Sequence, residues 1–582
     1  MSKLTPELWQ LKTASGLSDV AAVLKVKPSV LAYALYKLPD AAKYRVFKVP
    51  KKGGGFRRIT APEPRLAYIQ KQLADTLLAI ERDLEGARTR EECIVAHGFK
   101  KQLSIVTNAA VHRNRRFVFN ADLKDFFPSI NFGRVYGFFC KNRDFALRPE
   151  VATVLAQIAC HRNELPQGSP CSPVISNFIA SILDRHLTKL ADKERCTYTR
   201  YADDLTFSTN EQEFPARIAR LVRGSTDKWV AGDELAGRIA RSGFKVNELK
   251  TRLQYSNSRQ NVTGLVVNNK LNVPSEYYKL VRSMCLHLFK DGSAFIKEEG
   301  VQVPISDERV RGKLAHLFHI RGLEIGHKRL QRREQPNYYK LYSRFLDYRS
   351  FYGLSQPTII CEGKTDNIYI KTALQMKAAS FPGLIEDVDG KLKLRVRFFK
   401  YGKASAVLQN LGGGATQLKT LMLEYQSRMA GFQNGALHPV MMVLDVDKGT
   451  TQIWTELSKI LGTKVAGEDP YYHVFDNLYI VPVPKKPGVE TAIEDLFDAA
   501  TLGYVHDGKT FDKDSDKDKP GTYSKNTFAT KVVRDNRSTI DFSGFEPLLK
   551  AFEDVQAHYA SRVSAYPGLS PAVPVASPVL VP

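Results

Sequence analysis

The stretch TRYADDLTFS, residues 199–208, sets two adjacent carboxylates, Asp203 and Asp204, between two β-prone segments. Aromatic and β-branched residues on either side predict a strand, a tight turn and a second strand, with the acids at the turn. Two like charges this close repel each other unless something cationic lies between them. Upstream, FVFNADLKDFF (117–127) starts as another strand and brings Asp122 to its end. Acids at the ends of separate strands can build an oxygen cradle for divalent cations about 4 Å apart, the arrangement that in-line phosphoryl transfer uses.

The surrounding segments predict a large α+β body. LAYIQKQLADTLLAI, RPEVATVLAQIACH and PVISNFIASILDRHLTKL have helical periods. Residues 1–45 read as short amphipathic helices, and KKGGGFRRITAPEP (51–64) as a basic Gly-rich turn leading into an extended piece. The stretch 275–350 is helix-like and basic. At SQPTIICEGKTD (355–366) strand–turn–helix units begin, which predicts a domain boundary near 350. The Pro-rich, uncharged end at 564–582 reads as an extended, mobile tail.

Charge divides the chain the same way. Residues 1–350 hold 59 Lys and Arg against 35 Asp and Glu, whereas residues 351–582 hold 26 of each. The whole excess of +24 is in the first part, a signature of polyanion binding confined to one region. No run approaches the length of an apolar membrane span, and MSKLTPELWQLK lacks a signal-peptide core, so a cytoplasmic protein without membrane attachment is expected. The seven cysteines are scattered without a CxxC pair, which argues against a disulfide framework or a zinc knuckle.

Four segments together resemble the reverse transcriptase family. These are Asp122 with Phe126 and Phe127, LPQGSPCSPVISN (165–177), YADD (201–204) and GFKVNELKTR (243–252). The resemblance implies a right-hand polymerase of fingers, palm and thumb. It implies Asp122, Asp203 and Asp204 as catalytic metal ligands, joined by the carbonyl of Leu123. Two Mg²⁺ would be held there, with Mn²⁺ an acceptable substitute. It also implies nucleotide-binding roles for dNTP substrates. Phe127 would crowd a ribose 2′-OH, Gln167 and Gly168 would line the pocket, Arg57 (or its neighbour Arg58) would clamp the triphosphate, and Lys250 would approach the leaving pyrophosphate.

NAAVH (108–112) and VTGLVVN (262–268) narrow the resemblance to retron reverse transcriptases. It implies a cognate structured non-coding RNA whose internal guanosine 2′-OH primes synthesis, giving a branched RNA–DNA (msDNA). Asn108, His112, Val262, Thr263 and Gly264 would be RNA-binding. Within the thumb, Arg309, Arg311, Lys313, Lys328, Arg329, Arg332 and Arg333 are phosphate-contact candidates, since RNA duplexes are read by backbone and shape. A group II intron-like or diversity-generating reverse transcriptase is the alternative.

In the neutral part, TIICEGKTD places Glu362 at the end of an apolar strand, and MMVLDVDKGT places Asp445 and Asp447 at the end of another. Alternate strand residues share a face, so both aspartates can reach one ion. GKT is not a P-loop, because Thr358 stands where its first glycine is required. DKDSDKDKPGTY (512–523) is not an EF-hand, with Lys517 and Tyr523 at the positions needing Gly and Glu. EGKTD with DVD resembles the Toprim domain. That implies an α/β fold with a parallel sheet, Glu362 as general acid/base and metal ligand, and Asp445 and Asp447 as further ligands for one or two Mg²⁺. Lys364, Lys525 and Lys531 are candidate phosphate contacts. In IEDLF (493–497), Glu494 and Asp495 read as a solvated helix start.

The expected layout is an N-terminal helical segment (1–45), fingers and palm (46–274), a basic RNA-binding thumb (275–350), a Toprim domain with its extension (351–563) and the tail (564–582). The implied function is msDNA synthesis with a fused nuclease effector in anti-phage defence. A Toprim module that only binds nucleic acid or a partner stays open, as does self-association into a homo-oligomer.

Overall fold

The computed structural model describes residues 5–51, 54–86, 94–298, 300–323, 326, 328–331, 333–485, 489–515 and 517–565. The expected RNA contact Arg332 and nearly all of the Pro-rich tail lie outside the described residues. Two compact units emerge, residues 1–274 and 275–582. Among the described residues no helix is long and apolar enough to cross a membrane.

The first unit is organised around a four-stranded antiparallel sheet. Strands β1 (Tyr44–Pro50) and β2 (Phe56–Pro62) form a separate hairpin ahead of it. Then come α1 (Pro64–Gly86), α2 (Ile105–Val111), β3 (Phe117–Asp122), α3 (Ser172–Lys193), β4 (Thr197–Tyr201), β5 (Asp204–Thr209) and β6 (Arg252–Tyr255). The sheet order is β4-β5-β3-β6. Phe117, Phe119 and Ala121 alternate along β3 into the main core, which Leu205 and Phe207 of β5 share. Helix α3 buries Val174, Ile175, Phe178, Ile179, Leu183 and Leu187 in that core. A short hairpin, β7 (Asn261–Val262) and β8 (Leu265–Val266), closes the unit.

In the second unit residues 275–350 pack against later parts of the chain, so the two compact units divide at 274/275, ahead of the change in sequence character near 350. Phe289, on the helix Ser275–Asp291, packs against Phe432 at 5.0 Å between ring centres, and its carbonyl accepts from the Gln433 amide at 2.9 Å. Ser343 donates to the Leu408 carbonyl at 2.7 Å. The segment is also not wholly helical. AFIKE and VQVPI form an antiparallel ribbon, β9 (Ala294–Glu298) and β10 (Val301–Ile305), since β-branched residues flank a Gly300 turn at φ 86°.

The rest of this unit is built on a five-stranded sheet of β11 (Thr358–Cys361), β12 (Arg397–Phe398), β13 (Val440–Leu444), β14 (Tyr472–Phe475) and β15 (Leu478–Pro482). Its order is β12-β11-β13-β15-β14. The first four run parallel and β14 is antiparallel to β15. Every residue of β11, β13 and β15 is buried, which explains their unbroken apolar runs. Parallel pairing puts the carboxyl ends of β11 and β13 at the same edge, with Cys361 beside Val443.

Candidate active sites on two sheets

In the first unit, antiparallel register sets Asp122 directly across from Asp204. Tyr201 pairs with Asp204, so Ala202 and Asp203 make a two-residue turn, with Ala202 at φ 55°. The amide of Leu123 donates to the Asp203 carbonyl at 2.9 Å and locks the turn onto β3. The buried carboxylate of Asp122 accepts from Asn247 Nδ2 at 3.0 Å and from Lys250 Nζ at 2.7 Å. Lys250, expected beside a leaving group, is thus an ion-pair partner of Asp122 here.

Burial, then the Asp122 charge, raises the Asp203 carboxyl above its ordinary range. Asp204 keeps solvent access yet is crowded by protein. That loss of water first, then Asp203 and Asp122, push it up to about 6. Among the described residues no group of three or more His, Cys, Asp or Glu side chains forms a ready-made metal cage. The donor set still suits a divalent cation, being hard oxygen ligands whose mutual repulsion such an ion offsets.

The candidate nucleotide residues divide by strand geometry. Arg57 and Arg58 point to opposite faces of β2. The charge of Arg57 is felt at Asp203, and that of Arg58 at His161. Phe127 is half-buried, edge-on to Phe126 at 5.3 Å and 6.0 Å from Phe99. The Gln167 carbonyl accepts from the Thr60 amide at 2.7 Å. Gly168 has φ 129°, and a Cβ there would lie 2.9 Å from the Thr60 carbonyl oxygen. Glycine is therefore needed for contact with β2, not only for room around a substrate.

The expectation of direct RNA contact is corrected at three positions. Asn108, His112 and Val262 are fully buried. His112 Nδ1 lies 2.7 Å from Ser208 Oγ and its Nε2 2.7 Å from Thr199 Oγ1, which donates to Asn108 Oδ1 at 2.7 Å. These groups tie α2 to β4 and β5. Thr263, at φ 46°, donates to the Ile105 carbonyl at 3.1 Å, so the two retron-like motifs pack on each other. Gly264, at φ 84°, makes the β7–β8 turn with open space around it. Arg329, Arg333, Lys328 and Arg309 are exposed. Arg311 is exposed as well but pairs with Glu308 at 2.9 Å, and Lys313 lies over the Tyr277 ring at 5.5 Å.

Burial holds the His112 imidazole down to about 3. Unfolded, it binds a proton below its ordinary 6.5. Between these values the unfolded chain carries more protons, so stability is present above 6.5 and is lost as pH falls toward 3. The loss approaches about 1.4 kcal/mol per pH unit from this residue. Denaturant unfolding followed from neutral to acid pH is expected to show a shallower slope in His112→Gln than in wild type, and equal slopes would remove this account of the brace.

In the second unit the carboxyl ends of β11 and β13 lie side by side. Glu362 follows β11, and Asp445 and Asp447 follow β13. Glu362 Oε1 accepts from the Ala415 amide at 3.2 Å, while its buried Oε2 has no hydrogen-bond partner. Asp445 accepts from the Ile493 amide at 3.0 Å, and Asp447 from the Thr450 amide at 3.0 Å. Asp366 caps the turn through the Gly363 amide at 2.6 Å.

Glu494, read from sequence as solvated, is 1% exposed and takes part in this cluster. Its charge acts on Asp445, and Lys525 Nζ lies 3.1 Å from its Oε1. Burial, then Asp366, Glu494, Glu362 and Asp447, push Asp445 up to about 8. Burial, then Asp447 and Asp366, raise Glu362. An unpartnered buried carboxylate oxygen amid mutually repelling acids is chemistry that a hard cation would complete. Lys364 is part of the β11–helix turn, and Lys531 pairs with Asp535 at 3.9 Å.

Comparison with known proteins bears on the first unit. A family model described as "Reverse transcriptase (RNA-dependent DNA polymerase)" matches residues 49–268. Retron Mx65 reverse transcriptase of Myxococcus xanthus is 35% identical over 286 residues, covering 46% of this chain and 61% of that protein. Retron Ec73 reverse transcriptase of Escherichia coli is 37% identical over 264 residues, covering 43% of this chain and 77% of that protein. A solved apo telomerase from Candida tropicalis aligns with a TM-score of 0.27 at 12% identity, over 41% of this chain and 56% of that one, too weak a likeness to bear on the fold.

Proposed function

The chain belongs to the retron reverse transcriptase family, and from that premise we propose that its polymerase part copies a cognate structured RNA into DNA. Synthesis starts from an internal guanosine 2′-OH and leaves a branched RNA–DNA. The observation that carries this reading is the register that sets Asp122 across from Asp204, with Asp203 in the turn beside them. In each step a P–O bond forms between the primer oxygen and the α-phosphorus of a dNTP, the α–β P–O bond breaks, and pyrophosphate leaves.

Bound Mg²⁺, or Mn²⁺ in its place, supplies charge neutralisation for the attacking and leaving oxygens. Asp122, Asp203 and Asp204 supply the anionic cradle, and Leu123 joins Asp122 to the turn. Lys250 must release Asp122 Oδ2 before both carboxylate oxygens can serve; its ammonium is then available near the leaving phosphates. Arg57 offers a planar guanidinium to the triphosphate. Phe127 crowds the ribose, and positioning accounts for much of the remaining rate.

A second reading concerns the neutral part. The unpartnered Glu362 oxygen and the raised Asp445 support a Toprim-type nuclease using Glu362, Asp445 and Asp447, with Glu494 and Lys525 as added members. We place this activity in anti-phage defence, restrained until infection.

Purifying the protein from its native locus and sequencing the nucleic acid joined to it tests the first reading. A DNA of fixed length, branched from a guanosine 2′-OH, is expected. Linear cDNA of unrelated transcripts would favour the intron-like alternative. For the second, Glu362→Gln and Asp445→Asn are expected to abolish cell protection with DNA synthesis intact; protection retained in both would reduce this domain to a binding module.

A further inference from the structure

Beside the Glu362–Asp445–Asp447 centre runs an open groove of about 960 Å³ that has Asp447 in its lining. One wall is the helix α4 (Thr451–Leu461), which turns Ile453 and Leu457 inward, sets the largely buried Trp454 against the groove and leaves Thr451, Thr455, Ser458 and Lys459 along it. At 11 residues α4 is about 16 Å long, more than one phosphate requires.

The far end is a built feature. Gly462, in the left-handed region at φ 69°, ends α4 and reverses the chain. The Val465 amide then donates to Ser458 Oγ at 3.0 Å, pinning the returning segment against the helix. Lysines 448, 459, 464 and 485 line the space. Their acidic neighbours are few and mostly loose. Glu490 is 3.9 Å from Lys448, Glu468 is 3.5 Å from Lys485, and Glu456 holds Lys459 at 2.9 Å. Lys464 has no acidic partner among the described residues.

We propose that this groove binds the sugar–phosphate backbone of a single nucleic-acid strand and leads it to the carboxylate centre. The proposal deepens, and rests on, the nuclease reading. Lysines on flexible stems suit successive phosphodiesters, and among the described residues no arginine lines the groove to fork onto a base edge or a terminal phosphate. Recognition should therefore be tolerant of sequence and sensitive to salt. A basic approach also explains how a polyanion reaches an acidic centre in a part of the chain with no net charge.

The test uses the full chain with a photo-crosslinking residue in place of Thr455 and short labelled single-stranded RNA, single-stranded DNA and duplex DNA as probes. Labelling is read with EDTA and again with Mg²⁺. A crosslink to single strands in EDTA, reduced at least about tenfold in Lys459→Glu/Lys464→Glu with DNA synthesis unchanged, is the expected result. The preferred strand, RNA or DNA, identifies the source. If that crosslink forms but Mg²⁺ never yields cleavage, the nuclease reading fails and the groove stands. If cleavage occurs but no single strand crosslinks, if duplex alone does, or if the double charge reversal leaves both crosslink and cleavage unchanged, the groove proposal is overturned while the nuclease reading survives.

Discussion

Asp203→Asn is expected to lower RNA-templated DNA synthesis by on the order of 10³-fold or more, with the protein folded and its RNA still bound. The substitution is nearly isosteric, and the turn is held through its carbonyls, that of Asp203 on the Leu123 amide and that of Ala202 on Arg200, which the amide side chain does not disturb. What disappears is one of three negative charges in the cradle. The same change relieves Asp204, whose position near 6 owes its second-largest contribution to Asp203. The pH dependence of any residual synthesis should accordingly shift to lower pH, since Asp204 then ionises more readily. Primer extension on a defined RNA template, with Asp445→Asn as a control that retains synthesis, reads both effects. Retention of more than a small fraction of activity would show that the Asp122–Asp204 pair does not need its neighbour.

The sequence makes this carboxylate turn legible because its chemistry is local. A strand pattern and the acids at its end are contiguous in FVFNAD and YADD, so type and place are read together. The failures share the opposite property. Asn108 and His112 look like exposed specificity groups when read from a motif, but what they satisfy are the Thr199 and Ser208 hydroxyls, nearly a hundred residues away, and only the folded sheet reveals that. Glu494 follows the same logic. IEDLF carries two adjacent acids typical of a solvated first turn, yet Ile493 docks on Asp445 and Lys525 closes over Glu494. Its burial is decided by a cation 31 positions downstream. The β9–β10 ribbon is obscured by its charged end, Lys297 and Glu298, inside a basic, helix-rich stretch. Parallel strands are easier to read than this ribbon because burial on both faces gives them unbroken apolar runs such as MMVL.

The second large effect is expected one layer beneath the Ala202–Asp203 turn. Arg200 is fully buried and grips Asp184 with Nε at 2.8 Å and Nη2 at 2.7 Å, while Nη1 donates to the Ala202 carbonyl at 3.1 Å. Burial works against its charge, and Asp184 more than offsets this, keeping the guanidinium firmly protonated. Ala202 sits in the left-handed region, unfavourable for a residue with a Cβ, and Gly98 packs so closely that a Cβ there would lie 2.6 Å from the Ala202 amide nitrogen. A strained turn persists only if its surroundings over-determine it, and Arg200 is the side chain that does so from within. Arg200→Met leaves the buried Asp184 carboxylate without its counter-charge, with the Tyr198 hydroxyl still donating to it at 2.9 Å, and costs about 3–5 kcal/mol of stability. It also frees the Ala202 carbonyl, so kcat for nucleotide addition should fall by about 10²-fold, as when reacting groups lose their geometry, with KM for dNTP little changed. The two consequences separate in Arg200→Met/Asp184→Leu. Replacing a buried ion pair by apolar neighbours usually restores stability, but nothing then holds the Ala202 carbonyl. The double variant should recover most of the lost stability, short of what the buried Tyr198 hydroxyl loses with its Asp184 acceptor, and remain slow. Recovery of kcat along with stability would mean that Arg200 serves the core alone and that the turn carrying Asp203 needs no support from below.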